Sequence, residues 1–233
     1  MADFPETRWS IVSGVRDPNS MERRTALEAF CRAYWAPLYG YARAKGKTPT
    51  DAEDLVQGFI LKILRQPGAF ERLDSSRGML RSWLRASFSN FMVTDWQKEQ
   101  TLKRGGGLEF ERFELEGVER VEGAISDEPE PDKAFDRQWA HTVLSRGRRQ
   151  LREAFRNAGK LDEFEVLSPC LDAGHEESSE ELGVKLGKSA GAVRVAMNRL
   201  RSDFRLAVMR EIADTIGVAA DVDQEMKYLL ECL

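Results

Sequence analysis

Basic and amide side chains recur at helical spacing in the segment 190–210. The repeated steps are four, three and four residues, and the members are Arg194, Asn198, Arg201 and Arg205. On a helix such steps fall on one face. Arginine and asparagine match the edges of guanine and adenine, and arginine also holds phosphate. The chemistry predicted for this face is therefore binding of a polyanion such as DNA.

A short helix and a tight turn are predicted directly before this face. Ser178 and Glu181 have the spacing of a capping box, which opens a helix that ends at Leu186 and Gly187. Ser189 is a good N-cap for the next helix. The pattern indicates a helix-turn-helix, with an ordinary basic amphipathic helix as the alternative. The candidate DNA contacts are Lys188, Ser189, Arg194, Asn198, Arg199, Arg201 and Arg205.

Helical periodicity dominates the rest of the chain, and no run of alternating β-branched residues indicates a strand. Thr50 and Glu53 have the spacing of another capping box. The spacing of apolar residues predicts helices over 21–44, from 50 to about 65, and over 76–98, 132–157, 161–171, 178–186, 190–210 and the tail. The predicted fold class is all-α, with two helical domains.

Charge is distributed in blocks of opposite sign, although the net charge is only −4. Residues 105–135 include 3 basic and 10 acidic residues, and residues 161–181 include 8 acidic residues and no basic ones. Residues 182–210 include 7 basic residues and 1 acidic residue. Three glycines at 105–107 open the first acidic block, whose composition is typical of a flexible linker. Basic blocks favour a polyanionic partner, and acidic blocks can keep off nucleic acid or imitate it.

Composition argues against several classes of protein. No leader pattern and no apolar run of about 18 residues is present, so a cytoplasmic protein without a membrane partner is expected. The 3 cysteines and 2 histidines lack the spacing of a zinc site or a disulfide framework. No phosphate-binding glycine motif or nucleophile and base pairing stands out. We expect no enzyme activity, cofactor or metal.

Three motifs in order resemble a known family. They are DAEDLVQGFILKIL, then RGMLRSWLRASFSNFMVTDWQKEQ, then the helix-turn-helix segment that begins at Ser178. The combination resembles the extracytoplasmic-function (ECF) sigma factors, the two-domain promoter-recognition subunits of bacterial RNA polymerase. The resemblance implies a first domain over 1–104, an acidic linker over 105–131, a second domain over 132–212 and an additional tail over 213–233.

The resemblance also implies partners and contacts. The first motif would dock on core RNA polymerase through Asp51, Glu53, Asp54 and Gln57. The second motif would hold the melted strand of the downstream (minus-ten) promoter element through Arg81, Arg85, Ser89, Asn90, Thr94 and Lys98. The helix-turn-helix would read the upstream (minus-thirty-five) element. Many members of the family are also restrained by an anti-sigma factor or another protein regulator.

Two questions stay open from the sequence. The acidic tail either packs on the recognition-domain core or competes with DNA for a basic face. A stand-alone helix-turn-helix regulator and, more distantly, a helical adaptor that binds only proteins are the alternatives to a sigma factor. Polymerase binding separates the first alternative from a sigma factor, and DNA binding separates both from the adaptor.

Overall fold

The computed structural model describes residues 22–65, 80–102, 130–172, 174–175, 177–213 and 222–233. Within these ranges the chain is helical and contains no strand, so the all-α prediction is confirmed. The α-helices are α1 Glu22–Ala44, α2 Pro49–Arg65, α3 Leu80–Leu102, α4 Pro131–Asn157, α5 Leu161–Leu167, α6 Ser179–Leu186, α7 Ala190–Ala213 and α8 Val222–Glu231. A short 3-10 helix, Ser168–Leu171, follows α5.

The observed helices fall on the predicted segments and differ mainly at their ends. The helix predicted over 161–171 is divided, because α5 ends at Leu167 and the 3-10 helix continues it with Pro169 in its first turn. Proline has no N–H to donate to an α-helical ladder, which accounts for the change. The start of the helix predicted over 76–98, and the linker up to residue 129, lie outside the described residues.

The start of α2 corrects one prediction. Thr48, and not Thr50, caps this helix: its hydroxyl oxygen accepts from the Asp51 amide at 3.2 Å and its O–H donates to Asp51 Oδ2 at 2.7 Å. Pro49 then occupies the first helical position, where a missing N–H costs nothing and φ is already helical. The capping box expected from Thr50 and Glu53 was therefore placed two residues too late.

Contacts divide the chain into two compact units. The described part of unit 1 consists of α1, α2, α3, α4 up to Thr142, and α8. The apolar stripes predicted for the first three helices meet in its core, which includes Phe30, Tyr34, Leu38, Val56, Phe59, Leu84, Phe88 and Phe135. A Cβ on Gly40 would lie 2.9 Å from Gln138 Cγ, so α1 and α4 approach closely where this glycine stands.

Unit 2 spans Val143–Ile212 and contains the rest of α4, α5, the 3-10 helix, α6 and most of α7. Its core includes Leu151, Phe164, Leu167, Leu182, Val193 and Leu200. Arg146 Nε lies 3.3 Å from Glu211 Oε2, and Gln150 donates to the same carboxylate. These contacts fix the second half of α4 against the end of α7.

The grouping of contacts differs from the domain limits expected from the sequence. The first part of α4 belongs to unit 1, because Phe135 is fully buried in that core. The tail helix α8 also belongs to unit 1 and not to the unit that contains α7. Across the described helices, none combines the length and the apolar character needed to cross a membrane.

Candidate nucleic-acid interface

Helix α6 is capped at both ends by local hydrogen bonds. The Glu181 amide donates to Ser178 Oγ at 3.2 Å, and the Ser178 amide donates to Glu181 Oε2 at 2.8 Å. The predicted capping box is therefore confirmed. The Ser178 amide and the Ser178 hydroxyl both donate to the Glu181 carboxylate and lower its pKa, since both favour its charged form. Gly187 ends the helix in the left-handed region, with φ of 62°.

The turn from α6 to α7 is too tight for a side chain at one position. The Lys188 amide donates to the Gly183 carbonyl at 2.9 Å, which folds the chain back on α6. A Cβ on Gly183 would lie 2.7 Å from the Lys188 carbonyl oxygen. Ser189 then caps α7 as predicted, because its Oγ accepts from the Ala192 amide at 3.3 Å. The start of α7 is thus fixed by a glycine and a serine.

The polar face predicted on α7 is open to solvent. Val193 and Leu200 are buried in the core of unit 2, which turns the opposite side of the helix outward. The exposed members of that side are Arg194, Asn198, Arg199, Arg201 and Arg205. In the part of the chain that the structure describes, no ion pair engages Arg194 or Arg199. The guanidinium groups of Arg194 and Arg199 are therefore available to a partner.

The acidic block 161–181 pairs with basic side chains of its own unit. Its ion pairs are Lys188–Glu163 at 2.7 Å, Arg152–Glu165 at 2.7 Å, Lys185–Glu177 at 2.5 Å and Arg148–Asp172. Of the candidate DNA contacts, Lys188 is therefore engaged by a carboxylate. These acids pair with basic side chains of α4 and α6 and with Lys188, and none of these ion pairs involves Arg194 or Arg199.

A groove of about 860 Å³ lies beside this face, between α4, α5 and α7. Apolar side chains, among them Leu151, Val195 and Leu206, line it, and Arg199 stands at its side. Val195 is 53% exposed and Leu206 is 48% exposed. Sequence reasoning missed this groove, although two apolar residues on the polar side of a predicted helix were the available signal.

The second candidate set lies on α3, where one arginine is buried. Arg81 is 6% exposed, and its Nη1 donates to Asp136 Oδ1 at 2.8 Å. Its Nη2 lies 2.5 Å from Glu225 Oε1 on α8. The guanidinium carbon stands 4.8 Å from the ring centre of Trp139 and 4.7 Å from that of Tyr228. Arg81 is thus held by two carboxylates and two aromatic rings.

Asp136 joins the other members of this group. It accepts from Arg85 Nη1 at 2.9 Å and from the Tyr228 hydroxyl at 2.7 Å, in addition to Arg81. We call the set the Arg81 cluster, and its members are Arg81, Arg85, Asp136, Trp139, Glu225 and Tyr228. No periodic pattern in the sequence distinguishes its acidic and aromatic members from ordinary helix positions, so sequence reasoning missed them.

Electrostatics favour the charged state of the buried arginine. Burial lowers the pKa of Arg81, but the charges of Glu225 and Asp136 outweigh burial, so that this pKa is raised above its ordinary value. Burial, together with the hydrogen bond to Asp136 and its negative charge, raises the pKa of Tyr228 to about 12. At neutral pH the phenol is a hydrogen-bond donor to a carboxylate that also serves two arginines.

The remaining candidates on α3 are in different environments. Asn90 and Thr94 are exposed, and the Thr94 hydroxyl donates to the Asn90 carbonyl at 2.8 Å. Ser89 is half-buried. Lys98 lies in α3, but its side chain is outside the described part of the chain. The structure therefore groups Arg81 and Arg85 in the cluster and leaves Asn90 and Thr94 in solvent.

The acidic residues of the first motif form the solvent edge of α2. Asp51 and Asp54 are exposed, whereas Glu53 and Gln57 are half-buried. The opposite side of the helix buries Ala52, Val56 and Phe59. Asp51 has a local role at the helix N-terminus, since it accepts the Thr48 hydroxyl. Asp54 is the carboxylate best placed for a partner.

Among the residues described, no group of three or more His, Cys, Asp or Glu side chains is arranged to hold a metal ion. The features above are therefore two candidate binding surfaces, the α7 face and the α2 edge, and one buried ionic cluster. Comparison of the chain with protein-family models, curated protein sequences and solved structures finds no match.

Proposed function

We propose that this chain is a promoter-specificity subunit of bacterial RNA polymerase of the ECF sigma type. The observation that carries the proposal is the α7 face, an exposed row of arginine and asparagine side chains that begins just after a glycine-dependent turn. Such a subunit recruits core polymerase to promoter DNA and helps to open it. It has no chemical step of its own.

The α6–α7 pair supports binding to a DNA major groove. A recognition helix enters the groove by its first turns, so that small residues there permit close approach. Gly191 and Ala192 are exposed at this end, with Arg194 and Asn198 following. Under the proposal these two side chains contact base edges, while Arg199 and Arg205 hold phosphates. Lys188 contacts DNA only if a phosphate group replaces Glu163 as its ion-pair partner.

The α2 edge supports binding to polymerase. Exposed carboxylates beside an apolar helix face form a charged rim that steers and orients a basic partner. Asp54 is the best candidate, because Asp51 is used by the helix cap. On α3, the exposed Asn90 and Thr94 are the residues assigned to the melted strand. Arg81 and Arg85 reach that strand only if the Arg81 cluster opens.

Co-elution with core polymerase tests the proposal. Purified bacterial core polymerase is mixed with the full chain, with Asp54→Lys, and with Glu231→Lys as a control of equal charge change on an exposed residue of α8. We expect the wild type and Glu231→Lys to co-elute. We expect Asp54→Lys to bind on the order of tenfold more weakly, since a rim carboxylate becomes repulsive.

The pattern of results also separates the alternatives. A wild-type chain that binds duplex DNA tightly but never polymerase is a stand-alone regulator. A chain that binds neither duplex DNA nor polymerase belongs to the adaptor class. Equal co-elution of Asp54→Lys and wild type would remove the α2 edge from the interface, provided that circular dichroism shows the same helix content in both.

A further inference from the structure

Arg81 is buried, and one of its ion-pair partners, Glu225, comes from α8. The side chains of Arg81 and Glu225 that form the pair are 7% and 9% exposed, and that of Asp136 is 5% exposed. Buried ion pairs are rarely more stabilising than apolar residues of similar volume. The stability of unit 1 alone therefore gives no reason for an ionic contact at this place.

Two residues of α8 carry groups that resemble the parts of a nucleotide, a negative charge like that of a phosphate and an aromatic ring like that of a base. Glu225 places a carboxylate oxygen 2.5 Å from Arg81 Nη2, and the Arg81 guanidinium carbon lies over the Tyr228 ring at 4.7 Å from its centre. They are three residues apart, so one face of α8 presents both. When an arginine holds single-stranded nucleic acid, a phosphate pairs with its guanidinium group and a nucleobase can stack on that group.

We propose that α8 is an internal mimic of single-stranded DNA that occupies the Arg81 site until DNA displaces it. Glu225 stands for a phosphate and Tyr228 for a base. The inference rests on the proposed function, because it gives the displaced site the role of holding the melted promoter strand. In the free chain α8 keeps Arg81 from DNA of any sequence.

The anchoring of α8 fits a contact that can be reversed. Only Glu225, Met226 and Leu229 are buried in this ten-residue helix, and Leu230 and Leu233 are exposed. Short helices with few buried apolar residues open at lower free energy than the core. The second aromatic ring near the Arg81 guanidinium, Trp139, belongs to α4 and not to α8.

Charge around the site changes in the direction that DNA requires. With α8 in place, the carboxylates of Asp132, Asp136 and Glu225 surround the guanidinium groups of Arg81 and Arg85. Departure of α8 removes one carboxylate and the phenol that donates to Asp136. Arg81 Nη2 then has no carboxylate from α8, while Nη1 keeps its bond to Asp136 and the partly exposed Arg85 lies beside it.

Hydrogen exchange on the unaltered full chain gives the first test. The probe is an oligothymidine of about 16 nucleotides, long enough to cover one single-strand site. Displacement predicts that amides of 222–231 exchange at least about threefold faster when the oligonucleotide is bound, because an opened segment loses its protection. Unchanged or slower exchange of α8 in the bound chain overturns the proposal.

Affinity of substituted chains gives the second test. Glu225→Gln removes the phosphate-like charge, and Glu231→Gln removes the same charge from an exposed position of the same helix. By fluorescence anisotropy we expect Glu225→Gln to bind the oligothymidine about three- to tenfold more tightly than the wild type, and Glu231→Gln to stay within about twofold. A purely structural role predicts no gain.

The two outcomes that oppose the inference are equal affinities for the two variants and no binding by Glu225→Gln. Neither measurement uses polymerase. If the wild type fails to co-elute with core polymerase but α8 is still displaced by DNA, the proposed function fails and the internal mimic stands. If co-elution succeeds and α8 is not displaced, only the mimic fails.

Discussion

Arginine residues of this chain have two contrasting environments. Arg194 is exposed on α7 and has no ion-pair partner among the described residues, whereas Arg81 is enclosed by carboxylates and rings. An exposed guanidinium gives up little hydration before it meets DNA. A buried one must first exchange its partners, so the same residue type acts as a direct contact in one unit and a conditional one in the other.

Sequence reasoning predicted the first environment and missed the second for a physical reason. Helical spacing shows which side of α7 faces solvent, because Val193 and Leu200 identify the buried side. The partner of Arg81 depends on which helices pack against α3. Asp136 is 55 residues away and Glu225 lies on a tail helix, so no local pattern connects them.

The phenol of Tyr228 provides a prediction at the residue scale. Its pKa is about 12 in the folded chain, against about 10 for an unfolded tyrosine. The folded state therefore holds this proton more tightly, and the stabilisation that results is complete below pH about 10 and is lost as pH rises through about 12. Arg81, Asp136 and Cys232 are the charged and titratable groups that act on the phenol.

Urea unfolding of the wild type and Tyr228→Phe measures this effect. We expect the difference in unfolding free energy between them to be constant up to pH about 10 and to shrink at higher pH. The chain has 4 tyrosines including Tyr228, and the difference between the ultraviolet titrations of the two proteins isolates Tyr228 from the rest. A Tyr228 titration at the ordinary pH of tyrosine would contradict the hydrogen bond to Asp136.

Local signals were enough to predict most helix ends. The capping box of Ser178 and Glu181, the Ser189 cap and the stop at Gly187 are all observed. Each depends on residues within one turn of the chain, which is why sequence alone identifies them. At α2 the choice among Thr48, Pro49 and Thr50 was decided by the proline, whose preference for the first helical position outweighed a matching S/T-x-x-E spacing.

The turn between α6 and α7 provides the prediction at the scale of elements. Gly183→Ala would place a methyl group 2.7 Å from the Lys188 carbonyl oxygen, and backbone on both sides must then shift. We expect unit 2 to lose about 1–3 kcal/mol of stability, as for other overpacked sites. Urea unfolding with a probe in unit 2 measures the loss.

Gly191→Ala is the matched control for this substitution. A Cβ on Gly191 meets nothing within 4 Å, so the change adds a methyl group at the start of α7 without a clash. We expect it to be neutral or to stabilise by up to about 1 kcal/mol, since alanine favours the helix. Equal losses for the two variants would show that the turn is not the source of the effect.

At the scale of the whole molecule, the charge blocks have separate uses. Acids of 161–181 pair with α4 and α6 in their own unit, and Glu225 of the tail pairs with Arg81 in unit 1. The sequence predicted the blocks and not these assignments, because a charge count along the chain does not identify the facing helix. The α7 face is an exposed basic surface of unit 2.

The two proposed interfaces lie in different units, and this leads to a prediction about their independence. Asp54 belongs to unit 1 and Arg194 to unit 2. Substitutions that share no partner and lie in separate units affect binding additively in free energy.

We expect Arg194→Glu to weaken binding to duplex promoter DNA on the order of tenfold or more, because a base-reading guanidinium becomes a carboxylate in the groove. Co-elution with core polymerase should stay unchanged.

Arg210→Glu separates contact from overall charge. It makes the same change on an exposed residue of α7, about 24 Å further along the helix at 1.5 Å per residue. Anisotropy with duplex DNA that the wild-type holoenzyme selects should show a smaller loss for Arg210→Glu than for Arg194→Glu at the same salt concentration. Equal losses of DNA affinity in the two variants would show that the α7 face attracts DNA only through its overall charge. A larger loss of affinity for Arg194→Glu would show that Arg194 contacts the bases.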